Sequence, residues 1–422
     1  MKNYWRFCTT TKKTDSMFIE HTYPTGLRAV ATRFAQSNVE YFGIAVNAGS
    51  AAEDESRHGL AHFVEHCIFK GTSHHTATYI INHIEETGGE LNAYTNKEET
   101  VVYSITPRGN LGRSIRLIFD IVNNASFPEP ELDKERLVIS EEIDSYLDNP
   151  AEAVFDDFDE RLLRSTPLAH NILGTKQTIG TFNTQICKEW LENRFVPANA
   201  VVFYSGPLEP DKALKEIDKV FCRFTRTAAP QPLGKLEFQP PFHDVIDRDL
   251  YHQCHAALGY RVPGIDHEST SELLLLTNIL GGPGLNSKLN MALREKRGLV
   301  YTVEASTSFF TQTGETVIYF GCDKDNLKRC LAIIHREIDS LEKIITSPKE
   351  LEKAKRQFLG QLAIAHENRE QSVMSAARSV LCRGRVLTGA EFRQRIAAIT
   401  PQSMVKALEY LAPGKESTLI LK

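Results

Sequence analysis

The segment His58–Thr72, HGLAHFVEHCIFKGT, carries three histidines and a glutamate inside a run that otherwise reads as a buried helix. Imidazoles and carboxylates are costly to bury unless something pairs with them, and a divalent cation is one such partner. On a helix each residue advances about 100°, so His62 and His66, four apart, lie about 40° from each other on one face. Glu65 falls about 60° to the other side of His62. Two imidazoles so spaced can grip one ion, and a neighbouring carboxylate can reach a water on it. Zinc suits two nitrogens and one oxygen from protein with a position left open. The competing reading is a helix with hydrogen-bonded core histidines; the compact His-x-x-Glu-His set favours the metal. His58, four before His62, is a rival ligand, but that pair lacks a glutamate so placed between its members, and Gly59 suggests that the helix is only beginning there. His74 and His75 follow Gly71, a helix-end signal, and read as loop residues.

A third protein ligand has to come from elsewhere. The stretch ELDKERLVISEEIDSYLDNP, from Glu131, reads as a helix closed by Asn149-Pro150. Glu135 and Glu142 are seven apart, two turns, and share a face. A ligand and an acid that orients a histidine fit such a pair. Glu141 points about 100° away from Glu142 and reads as solvated. By spacing alone, such a charged stretch is equally an exposed face.

These elements sit in a duplicated frame. ETVVYSITPRGNL from Glu99 answers ETVIYFGCDKDNL from Glu315, an offset of 315 − 99 = 216. Each begins as a strand of alternating β-branched and aromatic residues and runs into an amphipathic helix, GRSIRLIFDIV in the first copy and KRCLAIIHREI in the second. PEPELDKERLVISEEI then meets TSPKELEKAKRQFLGQL, with Ser347, Pro348 and Glu350 marking a helix start. VEYFGIAVNAG and HAALGYRVPG form a further pair of candidate strands. The expectation is an α+β chain of two homologous α/β domains, each a mostly antiparallel sheet packed with helices. Its boundaries are an N-terminal extension 1–16, a metal-binding domain 17–225, a Pro-rich linker 226–240 and a second domain 241–422. With an offset of 350 − 131 = 219, Glu142 faces Gln361 and Glu135 faces Ala354, and the histidine helix faces LLLLTNILGGPG, which has no histidine. One copy keeps the metal chemistry and the other supports it.

Composition excludes other classes. The 422 residues are 41% hydrophobic and 24% charged, as in ordinary globular chains. A net charge of −5, from 49 basic and 54 acidic residues, offers no basic face for nucleic acid. Eight scattered cysteines include no Cys-x-x-Cys pair and read as reduced thiols of a cytoplasmic protein. The first residues, MKNYWRFCTTTKKTDS, lack the apolar core of a signal peptide, and no apolar run approaches the ~20 residues of a membrane helix.

With these residues in view, the chain from about Phe18 onward resembles the inverzincin zinc peptidases, the M16 family that includes the mitochondrial processing peptidases and insulin-degrading enzyme. The anchors are GLAHFVEHCIFKGT, ERLVISEEI, GGELNAYTNKEETVVY and LGGPGLNSKLNMALREKRGLVYTVEA. The resemblance implies the LuxS/MPP-like fold and a peptide-bond hydrolase, an endopeptidase acting on peptides or unfolded segments. It implies one Zn2+ per chain on His62, His66 and Glu142, with Glu65 as general base and Glu135 as the supporting acid. It also implies a substrate-binding edge strand around Asn92, Ala93 and Tyr94. An Arg294/Tyr301 pair would contact the substrate, where residue types alone suggest a surface ion pair and a packed aromatic. A chain of this length implies a homodimer with shared sites, or a heterodimer with a related chain. The alternative is a non-catalytic subunit or scaffold of a heterodimeric processing peptidase, which loss of the His-x-x-Glu-His set would favour; the set is intact.

Overall fold

The computed structural model describes residues 12–13, 18–228, 236–247 and 252–422. The expected extension 1–16 therefore lies outside the described residues apart from Lys12–Lys13, and so does the middle of the expected linker, 229–235. Seven strands make the first sheet: β1 (Lys12–Lys13), β2 (Phe18–Thr22), β3 (Arg28–Arg33), β4 (Val39–Val46), β5 (Glu90–Thr95), β6 (Thr100–Pro107) and β7 (Ala200–Gly206), in the order β1-β2-β3-β7-β4-β6-β5. Five make the second: β8 (His243–Ile246), β9 (Cys254–Pro263), β10 (Val300–Phe309), β11 (Thr313–Cys322) and β12 (Ser417–Leu421), in the order β10-β11-β9-β12-β8.

The two sheets repeat one topology. The run β3-β7-β4-β6-β5 matches β8-β12-β9-β11-β10 strand for strand, with β3–β7 and β8–β12 the parallel pairs and the other matched pairs antiparallel. The duplication seen in ETVVYSI and ETVIYFG thus lies in β6 and β11, and the α+β expectation of two mostly antiparallel sheets with helices holds.

The first five α-helices are α1 (Leu60–Cys67), α2 (Ala77–Glu85), α3 (Leu111–Asn124), α4 (Glu129–Asp148) and α5 (Pro150–Leu162), and α1 and α4 carry the candidate site. Alternation along the strands sorts the first sheet's side chains to two faces. Ala29, Ala31, Phe42, Ile44, Val102, Val202 and Tyr204 join the core that includes Phe63 and Val64 of α1 and Ile115 and Ile118 of α3. Val30, Ala45, Val101, Val201 and Phe203 face the other way and bury Val373, Ala376, Ala377 and Val380 of the helix Arg369–Arg383. Burial on both faces explains why β7 reads as an unbroken apolar run rather than an alternating one.

The chain forms two compact units, each discontinuous. The first comprises 1–143, 170–234 and 366–388; the second comprises 144–169, 235–365 and 389–422. The duplicated halves and the compact units therefore differ by one exchanged segment each way. After α4, α5 packs on β9 and β12 of the second sheet, where Gly259 leaves room for the Phe158 ring: a Cβ there would lie 2.5 Å from it. After the long helix Pro348–Ala365, the helix Arg369–Arg383 packs on the first sheet. Pro348 opens its helix as the Ser347–Glu350 signal predicts, with the Ser347 hydroxyl accepting from the Glu350 N–H at 3.5 Å.

Candidate metal centre

Buried residues lie nearly all round α1: Leu60, Ala61, His62, Phe63, Val64 and Cys67. The helix ends at Cys67, four residues before the Gly71 signal, because the chain turns there and Gly71 and Thr72 pair with Thr76 and Ala125 as isolated bridges. His62 is 8% exposed, and its ring lies 4.5 Å from that of His66 at 65°. Glu142, on α4, reaches both: its Oε2 is 3.8 Å from His62 Nε2 and 3.5 Å from His66 Nε2. Ligand atoms of these three residues all lie within 4.8 Å of one another.

The group fits a small cation. Two donors each about 2.0–2.1 Å from zinc at a tetrahedral angle stand about 3.4 Å apart, close to these spacings. Burial, with His66 adding to it, pushes His62 down to about 3, so it presents the neutral imidazole that a metal requires. Its Nδ1 is buried without a hydrogen-bond partner among the described residues. His66 is held from behind: its Nδ1 lies 3.2 Å from Glu135 Oε2, and Glu135 Oε1 takes an ion pair from Lys70 Nζ at 2.7 Å. Among the described residues, the set His62, His66 and Glu142 is the cluster able to hold a metal.

Glu65 is half-buried beside this group. Burial raises its pKa, opposed by His66 and by the polar groups of nearby Thr95, with Glu142 raising it further. Thr95 is the last residue of β5, the sheet's edge strand, which among the described residues pairs with β6 alone. Asn92, Ala93 and Tyr94 lie on that strand, opposite Tyr103, Val102 and Val101. Tyr94 packs toward the helix Arg369–Arg383 and Ala93 toward the α1 side.

The other histidines are elsewhere engaged. His58 stacks on His170 with ring centroids 3.7 Å apart. His74 bonds Asp120 at 2.6 Å and His75 stacks on Tyr79. Glu141 is exposed. Arg294 and Tyr301 belong to the second unit. Arg294 lies in a π-helical segment, Asn290–Glu295, with its guanidinium 6.0 Å from the Tyr301 ring centroid. Tyr301 is 83% exposed, and both line a cavity of about 440 Å³ beside Gly281, Gly282 and Glu304. In the second copy, Gln361, at the position of Glu142, accepts a hydrogen bond from Asn278 Nδ2 at 2.8 Å. Asn278 lies on Thr270–Gly281, the helix matched to the histidine segment. A neutral amide pair stands where the first copy gathers imidazoles and a carboxylate.

Sequence reasoning missed Lys70, whose signal is its place four residues after His66, one helical turn by number. It also missed Thr95, which nothing local marks.

Known proteins resemble this chain over most of its length. The family profile described as "Insulinase (Peptidase family M16)" matches residues 29–176, and that described as "Peptidase M16 inactive domain" matches residues 181–358. The protein named "Uncharacterized zinc protease YmxG" of Bacillus subtilis is 28% identical over 383 residues, 91% of this chain and 93% of that protein. An "Uncharacterized zinc protease" of Rickettsia felis is 30% identical over 324 residues, 76% of each chain. A crystal structure titled as a peptidase M16 inactive domain from Pseudomonas fluorescens superposes with a TM-score of 0.88 at 17% identity, covering 98% of both chains. His62, His66 and Glu142 fall within the first match and Asn278 within the second, and the chain belongs to peptidase family M16.

Proposed function

We propose that this protein is a zinc-dependent endopeptidase, of the inverzincin type, that hydrolyses peptides and unfolded segments. The observation that carries the reading is the convergence of His62, His66 and Glu142 beside Glu65 at the end of an open sheet edge. His62, His66 and Glu142 would hold one zinc ion per chain, which would supply Lewis acidity and a water of lowered pKa. Glu65 takes the proton released in attack and hands it to the leaving amine. Thr95 lies beside Glu65, so the base stands next to the strand that carries the substrate. Asn92, Ala93 and Tyr94 receive the substrate main chain by β-augmentation, which gives affinity with little side-chain selectivity. Glu135 orients His66, with Lys70 holding the far oxygen.

Arg294 and Tyr301 donate to the developing oxyanion. They come from the second unit of a partner chain in a homodimer, or of a related chain in a heterodimer. The cysteines among the described residues are free thiols, which supports a reducing, cytoplasmic setting. The test is a quenched-peptide assay on metal-loaded and chelator-stripped protein, with Glu65→Gln alongside. Cleavage is expected only with metal, and Glu65→Gln keeps its zinc while losing about 10²–10⁴-fold in turnover. Full activity in that variant would falsify the general-base role, and absence of cleavage in loaded wild type would favour the scaffold.

A further inference from the structure

We infer that Glu53 and His170 are positioning residues for the metal helix, clasping its first turn to the turn that follows the edge strand. The inference rests on the reading of α1 as the metal-binding helix. A helix start leaves backbone N–H groups without partners, and a side-chain oxygen at the N-cap usually accepts from them. Here the N-cap is Gly59, with φ at +96° and no side chain. A Cβ at Gly59 would lie 2.7 Å from the Leu173 carbonyl, and one at Gly174 2.2 Å from the His58 carbonyl. Glycine is therefore required where these two backbones meet, and the cap has to come from elsewhere.

Glu53 supplies it from six residues upstream. Its Oε1 accepts from Ala61 N–H at 2.7 Å and its Oε2 from Gly59 N–H at 2.8 Å. The Glu53 side chain has no exposed surface, and its Oε2 also lies 2.9 Å from His170 Nε2. The His170 ring lies flat on His58, and its carbonyl accepts from Lys97 Nζ at 2.7 Å. Lys97 sits in the β5–β6 turn, which also accepts backbone hydrogen bonds from Gly49, Ser50 and Ala51. One cluster thus fixes both the amide next to His62 and the turn that begins one residue after Thr95, the residue beside Glu65. In a helix of eight residues, fraying of the first turn displaces His62 directly.

The test compares Glu53→Ala, Glu53→Gln and His170→Ala with wild type by two readouts: zinc dissociation constant by chelator competition, and amide exchange over Leu60–Phe63 in metal-free protein. Glu53→Ala is expected to weaken zinc about 10–100-fold, the range for supporting groups around a metal, and to speed exchange in the first turn ahead of the rest of the first unit. Glu53→Gln, which keeps one acceptor, recovers part of both, and His170→Ala shifts both in the same direction by less. Unchanged affinity and unchanged exchange in Glu53→Ala and His170→Ala overturn the clasp. If Glu53→Ala fails to fold, His170→Ala and Glu53→Gln decide by the same two readouts. Wild type that binds no zinc would overturn the metal reading and leave the clasp to be judged on exchange alone.

Discussion

At His66 the two ring nitrogens have different duties: Nε2 faces Glu142, and Nδ1 faces a carboxylate that is itself neutralised by Lys70. Such a partner fixes the tautomer and the ring plane. Glu135→Ala is expected to lower zinc affinity about 10–100-fold with stoichiometry unchanged at saturation. Lys70→Met acts in the same direction by less, since it leaves a buried carboxylate with the imidazole alone. Isothermal titration with zinc reads both; equal affinities in all three proteins would remove Glu135 and Lys70 from the site. Glu142 is the residue whose assignment asked most of the sequence. Periodicity gave it a face shared with Glu135, while its pairing with two imidazoles 76 and 80 residues earlier (142 − 66 and 142 − 62) came from family resemblance and is a distance only the folded chain supplies.

At the scale of elements, β5 and α1 have to act together. A peptide added along β5 engages backbone groups that alternate between pointing toward and away from the strand. N-methylation at every second substrate position is expected to cost about 1 kcal/mol per lost hydrogen bond, and at the intervening positions little. Uniform losses along an N-methyl series would exclude augmentation. The start of α1 carries a pH signature as well. Burial pushes the Glu53 carboxyl from an ordinary 4.5 up to about 8, against the pull of the Ala61 and Gly59 amides. Between those values the native protein keeps a proton that the unfolded chain has released, so the stability contributed by this group falls as pH rises through that window. In metal-free protein Glu53→Gln is expected to flatten the dependence. Denaturant midpoints measured across the window check it, and identical slopes in variant and wild type would refute it. The hairpin and the helix of ERLVISEEI were legible because periods of 2 and 3.6 are written locally. The cap by the Glu53 carboxyl was not, because Glu53 reaches α1 through a loop whose path depends on the β5–β6 turn and on Gly174.

For the whole molecule, the separation of Arg294 and Tyr301 from the metal-capable unit makes a clean prediction. Arg294→Ala and Tyr301→Ala are expected to keep zinc stoichiometry and affinity while lowering kcat/KM. Mixing a Glu65→Gln chain with an Arg294→Ala chain is expected to give more activity after subunit exchange than either impaired chain has alone. No recovery once mixed dimers are verified would place complete sites within single chains. The second unit's role follows from what replaced the ligands: Gln361 and Asn278 satisfy each other and leave no charge for a cation to balance.

The amino-acid sequence by itself determined the duplication, the strand-and-helix content and the His62/Glu65/His66 face, because each is a short-range repeat of side-chain type. It also marked the start of the helix at Pro348 and the break at Asn149-Pro150 through residues with fixed backbone preferences. Only the tertiary structure decided that α5 and the helix Arg369–Arg383 change units, since an apolar helix face is written locally while the sheet it covers depends on the path of the chain. It alone brought Thr95 to Glu65 and Glu53 to Ala61, because those pairings join segments that sequence distance leaves free and that sheet order and glycine-to-glycine contact bring together.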